Sequence, residues 1–157
     1  MNLRIMASLL IALLVSASSF AQDKGPHDNA IKGRQALMQV YGFNMGILGA
    51  MAKEKAPYDA DAAKAAANNL FLAMSMDQSA MWPQGSDNET AGNMKNRALA
   101  AIWTTYPKVA EAGKTSFAAA EELNAVAGDG LKALQSAMGG VGKGCKGCHD
   151  DFRAKKK

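Results

Sequence analysis

Apolar side chains recur at steps of three and four along most of this chain. No stretch alternates apolar with polar residues as a half-buried strand does. That rhythm confines the fold to helices, and the abundance of alanine, leucine and methionine supports it. Four segments carry the pattern. In the first, over about 29–55, Ile31, Arg34, Met38, Tyr41, Met45, Leu48 and Ala52 share one helical face, and Pro57 stops the run. In the second, over about 59–80, Ala63, Ala66, Leu70 and Ala73 form one line. Ala67, Phe71, Met74 and Met81 lie beside it, and Asp59 or Asp61 is the candidate cap. Residues 83–92, with Pro83, Gly85, Ser86, Asp87 and Asn88, read as a loop. The third segment starts near Met94 or Arg97 and reaches Ala127, with Leu99, Ile102, Trp103, Tyr106, Val109, Phe117 and Leu123 on its apolar side. Pro107 predicts either a kink or a fresh start there, because proline lacks the N–H that a helix interior needs. Gly128-Asp129 is expected to close this segment and cap the next. The fourth steps through Leu131, Leu134, Met138, Val141, Cys145, Cys148 and Phe152. Four amphipathic helices with short joints predict an all-α, antiparallel four-helix bundle, although spacing alone leaves the packing order open.

The 157 residues suit one domain behind a leader. Arg4, an apolar run from Ile5 to Val15 broken only by Ser8, and small residues at Ser19 and Ala21 form a secretory signal. Cleavage is expected after Ala21, leaving residues 22–157 as the mature domain. The apolar run falls short of the roughly 20 residues that span a bilayer, so stable membrane insertion is not expected. The formal charge of +4, which falls by one with Arg4, is too small to favour nucleic acid as a partner. The basic tail Lys155 to Lys157 reads as a solvated end, with docking to an acidic partner as the weaker alternative.

An exported chain with only two cysteines, three apart, is not built on a long-range disulfide. A dithiol redox pair, a zinc site and haem attachment remain, and the next residue decides among them. Cys145-Lys146-Gly147-Cys148-His149 is the attachment signature for haem c. Each thiol adds to one haem vinyl group. On a helix the two sulfurs lie on one face, and His149, four residues after Cys145, reaches the iron as axial ligand. Dithiol oxidoreductases place such a motif after a strand, and no strand pattern precedes this one. Zinc needs four ligands where three candidates cluster. Export agrees as well, since bacterial haem c is attached outside the cytoplasm, and this places the protein in the periplasm.

Other residues take meaning from that motif. His27 lies in the loose start Gly25-Pro26-His27-Asp28 and reads as an exposed loop residue, not a second ligand. A sixth ligand, if there is one, must come from upstream methionines, most of which are core filler. Arg34, a cation inside an apolar stripe, needs a partner, and a haem propionate suits its fork. Met38 lies one turn further on, over the expected ring and across from His149. Gly42, Gly46 and Gly49 share a face suited to close approach by another helix, either internal or from a second copy. The glycines at 139, 140, 142, 144 and 147 are expected to let backbone lie close to the porphyrin.

With these residues in view, the chain resembles the cytochrome c′ family, the class II c-type cytochromes. The resemblance rests on Ile31 to Met38, on Pro83-Gln84-Gly85-Ser86-Asp87, on Ala101-Ile102-Trp103, and on Gly142 to Arg153 with its C-terminal haem motif. It implies a left-handed four-helix bundle, often a homodimer through the first two helices. It implies haem contacts by Arg34, Gln35, Cys145, Cys148 and His149, a distal residue at Met38, and contacts by Ser86 and Asp87. Residues 88–96 are longer and more polar than the family's usual pattern, so Glu89-Thr90 is an alternative to Ser86/Asp87. Arg153 matches the family's basic residue one turn past the histidine. Two functions follow. One is a five-coordinate haem that binds nitric oxide or carbon monoxide, and the other is a low-spin His/Met electron carrier served by redox partner proteins. No acid–base pair or nucleophile accompanies the haem residues in the sequence, so an enzyme is not expected.

Overall fold

The computed structural model describes residues 25–92 and 94–156. The leader read over residues 1–21 lies outside them, as does Lys157. The described residues form α1 (Asp28–Ala52), α2 (Ala60–Ser75), a 3₁₀ turn (Ser79–Met81), the short α3 (Ala101–Thr104), α4 (Tyr106–Val126) and α5 (Leu131–Phe152). The long helices form the expected four-helix bundle. α1 packs on α2 and α5, and α4 packs on the same two.

Local chemistry sets the joints. Lys53 and Glu54 donate their backbone N–H groups to Gly49 and Met51 and end α1. Pro57 then prevents continuation. Asp59 caps α2 by accepting from the Ala62 N–H at 2.9 Å, so Asp59 and not Asp61 is the cap. Pro107 resolves as a fresh start. α3 ends at Thr104, and α4 begins with proline in its first turn, where no N–H is needed. Asp129 does not cap α5. Its N-cap is Gly130, with φ +113°, a conformation that favours glycine.

Tertiary hydrogen bonds fix the helix directions. Gln135, near the start of α5, donates to the Ala52 carbonyl at the end of α1 (2.9 Å). Tyr58, just before α2, donates to Ala127 at the end of α4 (2.9 Å) and accepts from Gly130 N–H (3.0 Å). Neighbouring helices are therefore antiparallel, and Tyr58 ties two joints together at one end. The opposite end holds the start of α1, the start of α4 and the end of α5, which carries the cysteine motif.

Two apolar clusters fill the bundle. The larger joins eleven buried residues, among them Leu48, Met51, Leu70, Leu123, Leu134 and Val141. The smaller, at the motif end, has three, Ala98, Ile102 and Phe152, with Trp82, Trp103 and Cys148 half-buried around it. The stripe of α1 differs from the one read in sequence. Ile31, Arg34 and Leu48 are buried as expected, but Leu37, Asn44 and Met51 join them in place of Met38, Met45 and Ala52. The helix touches partners on two sides, so its buried arc is broad and centred between them.

Candidate haem site

The three motif side chains lie within the last turns of α5 and all are half-buried. Cys145 packs against the larger cluster and Cys148 against the smaller, so the motif bridges the two. Both thiols are free, and burial pushes both above the ordinary thiol range. The His149 imidazole is pushed down by burial and then by the nearby Arg153 and Arg97 guanidinium groups. This favours the neutral ring, the form that ligates a metal. Outward, Lys146 pairs with Asp150 one turn on.

The expected glycine contacts divide. A Cβ at Gly144 would lie 2.9 Å from Ser116 Cα, so Gly144 serves the approach of α4 to α5. That corrects its assignment to the porphyrin. A Cβ at Gly140 would meet Ala119, also on α4, at 3.7 Å, whereas Gly139, Gly142 and Gly147 face nothing within 4 Å. On α1, Gly49 faces Met138 of α5, while Gly42 and Gly46 face open space. The three glycines therefore do not serve one contact. Met38 lies eleven residues before Gly49, three helical turns back on the same edge, and so belongs to the edge of α1 that meets α5. It is 39% exposed.

Arg34 is 3% exposed, and the segment 81–96 wraps it. One terminal nitrogen donates to Met81 O (3.1 Å) and Ser86 Oγ (2.7 Å). The other donates to the Ser86 carbonyl and to Asn96 Oδ1 (3.2 Å). The Trp82 ring lies 4.8 Å beneath the guanidinium. Burial lowers the Arg34 pKa, and the nearby Asp87 carboxylate works against that. Neighbouring Gln35 donates to Lys95 O at 2.9 Å, so consecutive residues of α1 grip both ends of the segment.

Ser86 and Asp87 are buried, and the sequence alternatives Glu89 and Thr90 prove to be part of the same turn. Asp87 accepts from the Glu89 N–H (2.8 Å), the Thr90 N–H (3.0 Å) and the Thr90 hydroxyl. The Thr90 hydroxyl, followed by the Glu89 N–H, holds the Asp87 carboxyl below the usual carboxylate range. His27 is half-buried rather than exposed, and a Cβ at Gly85, where φ is +82°, would lie 3.5 Å from its Nε2. Sequence reasoning missed Trp82 and Asn96. Trp82 connects the two parts of the site, since it lies under Arg34 and packs against the same small cluster as Cys148. Its carbonyl accepts from Trp103 Nε1 at 3.0 Å. Asn96 accepts from Arg34 and donates to the Asp87 carbonyl (3.1 Å), and only its polarity in a long loop hinted at this.

These residues fit a haem c. Two thiols and an imidazole whose burial favours its neutral form occupy successive turns of one helix, next to an apolar cluster with two half-buried tryptophans, and a methionine edge stands on the helix opposite. The class of protein is thus a helical bundle built around a haem attachment site. A family model described as Cytochrome C′ matches residues 29–153, and the chain belongs to that family of c-type haem cytochromes. Two relatives from Cereibacter sphaeroides are about equally similar. A cytochrome c-554 is 37% identical over 142 residues, 90% of this chain and 92% of that one. A cytochrome c′ is 36% identical over 152 residues, 96% of this chain and 100% of that one. Among solved structures, cytochrome c′ from Rhodobacter Spheriodes superposes with a TM-score of 0.79 at 36% identity, covering 83% of this chain and 98% of that one. A cytochrome c′ described as having ligand-controlled dimer dissociation gives 0.75 at 29% identity, covering 82% and 96%. A nitric oxide complex of a leucine-to-alanine mutant of cytochrome c prime from Alcaligenes xylosoxidans gives 0.69 at 30% identity, covering 82% and 95%.

Proposed function

We propose that this chain is an exported, periplasmic class II cytochrome. It carries one haem c bound covalently through Cys145 and Cys148, with His149 as axial ligand. The carrying observation is the placement of these three half-buried side chains on consecutive turns of α5 in a chain of the cytochrome c′ family. Bound haem supplies a one-electron couple and an axial position for a diatomic gas. The protein's own residues hold and screen it. His149 is kept neutral, Trp82 and Trp103 wall the Cys148 side, and Arg34 holds the 81–96 segment in place. Its Nε–H has no acceptor among the described residues and is left for a propionate. Electron transfer and the binding of nitric oxide or carbon monoxide at five-coordinate iron are the functions we assign, with no catalytic role.

A homodimer through α1 and α2 belongs to the same proposal. Val40, Phe43, Leu72 and Met76 are exposed on these helices, next to the open backbone of Gly42 and Gly46. The second reading, a low-spin His/Met carrier, is favoured by the Met38 thioether on the edge of α1 that meets α5.

Mass spectrometry of the denatured holoprotein, matured with a working attachment system, is expected to show one retained haem. Replacing both cysteines with serine should abolish it, and unmodified wild-type chain would overturn the proposal. Met38→Ala separates the two functions. A high-spin wild type whose mutant binds carbon monoxide faster supports the gas-binding role. Loss of a low-spin spectrum in the mutant makes Met38 the sixth ligand. No change in spectrum or gas binding removes Met38 from the site.

A further inference from the structure

The exposed basic tail starts from an anchored base. Ala98 and Arg153 form an antiparallel bridge. The Leu99 N–H donates to Phe152 O at 3.0 Å, and the Ala154 N–H donates to Arg97 O at 2.8 Å. Backbone hydrogen bonds therefore carry the chain past the end of α5 and back along residues 97–99. As a result Arg97, Arg153, Lys155 and Lys156 line one cleft of about 410 Å³ together with His149. The only carboxylate lining it is Asp150, whose ion-pair partner is Lys146. Among the described residues, none of the four cations is in an ion pair. Like charges in one place repel, and the fold adds hydrogen bonds that hold them there.

We propose that this cleft is the docking surface for an acidic electron-transfer protein, which exchanges electrons on the His149 side. This rests on the haem assignment above. A partner with a carboxylate-rich surface would be steered to the cleft and oriented by four cations flanking the iron ligand. It would give up one electron to the ferric iron, with no atom or proton transferred. A protein fits better than an anionic bilayer. None of the large exposed apolar side chains of the described residues lies in this cleft, and surface-bound segments usually add such anchors to their basic charge.

The test is stopped-flow reduction of the ferric holoprotein by fully reduced flavodoxin, a strongly acidic donor, at about 10 mM and about 200 mM salt. Two double variants carry the same change in net charge. Lys155→Glu/Lys156→Glu alters the cleft, and Lys64→Glu/Lys132→Glu alters the far end of the bundle. The cleft variant is expected to react about tenfold more slowly at low salt and to lose its salt dependence, with the far-end variant within about twofold of wild type. Equal slowing of the two, or no slowing of the cleft variant, overturns the docking surface and leaves the haem assignment standing. Slower reduction of the cleft variant by neutral deazariboflavin semiquinone also overturns it, by placing the effect at the haem. Pelleting with phosphatidylglycerol vesicles that needs Lys155 and Lys156, at an unchanged flavodoxin rate, overturns it in favour of a membrane. A chain that retains no haem overturns both readings.

Discussion

The two ends of this bundle are held together differently. From the Tyr58 end as far as Cys145, eleven apolar side chains close on one another. At the motif, three buried apolar residues stand beside a buried arginine, a buried serine, a buried aspartate and a loop that folds around them. The first end is a conventional core, whose stability comes from apolar area removed from water. The second relies on polar groups that satisfy one another, and it sets half-buried aromatic and thiol groups beside them. One chain thus has an apolar end and a polar end, and under the proposed function the second is the one that holds haem, so mutations should respect the division.

The largest effect should come from the conventional end. Leu134 is fully buried between helices. Leu134→Ala is expected to cost about 2–5 kcal/mol, through lost transfer energy and the cavity left behind. Denaturant titration should give the same loss with and without attached haem, because the residue lies three helical turns before Cys145 on α5. A loss that appears only in the haem-free chain would break the division.

Arg34→Met should come next. It keeps a long chain but removes the donors from Met81 O, Ser86 Oγ and O, and Asn96 Oδ1. Stranding buried acceptors costs about 1–3 kcal/mol. The sharper expectation is its location. Amide exchange should accelerate through residues 81–98 while α2 and the first half of α5 keep their protection. Uniform acceleration would show that the two ends unfold as one unit.

The same division governs how much of the molecule the sequence reveals. Periodicity located α1 within a few residues at each end, and it located α4 and α5, because one buried face per helix leaves a direct mark. Pro107 signalled a discontinuity whose form depended on whether its neighbours could restart a helix, and Tyr106 does so. The motif Cys145 to His149 stands out in the sequence by its spacing alone, and the structure sets its three side chains within the last turns of α5. The loop around Arg34 does not stand out. Ser86 and Asp87 are buried, with Asn96 and Trp82 half-buried beside them, through bonds and contacts to Arg34 and within 81–96, and polar residues buried in this way have no period. The resemblance pointed to Ser86 and Asp87, but not to Arg34 and Thr90 as their partners. Lys155 and Lys156 of the tail are exposed as read, but the run carries no sign of the backbone bridge just before it, at Arg153, which depends on Ala98 more than fifty residues earlier.

The smallest expected effect tests the polar end through pH. The Thr90 hydroxyl is the first cause of the lowered Asp87 pKa, ahead of the Glu89 N–H. A carboxyl whose pKa is lower in the folded chain than in the unfolded one stabilises the fold wherever it is ionised in both. That holds above the ordinary aspartate value of about 3.9, and the contribution disappears as pH falls through the folded value. Thr90→Val removes the hydroxyl and keeps both backbone donors, so the folded pKa should rise toward the ordinary one without reaching it. At pH 7 the variant should melt a few degrees lower at most. The gap should narrow as pH drops below about 4 and level off once Asp87 is protonated in both, leaving only the pH-independent loss of the bond from the Thr90 hydroxyl to Gly85 O. Arg34 should amplify the gap at neutral pH, because the ionised Asp87 also supports its buried charge. In an Arg34→Met background the effect of Thr90→Val should therefore shrink, a coupling that a double-mutant cycle measures directly. Additive losses would mean that the turn and the arginine are independent, and that the motif end is held by separate bonds instead of one connected network.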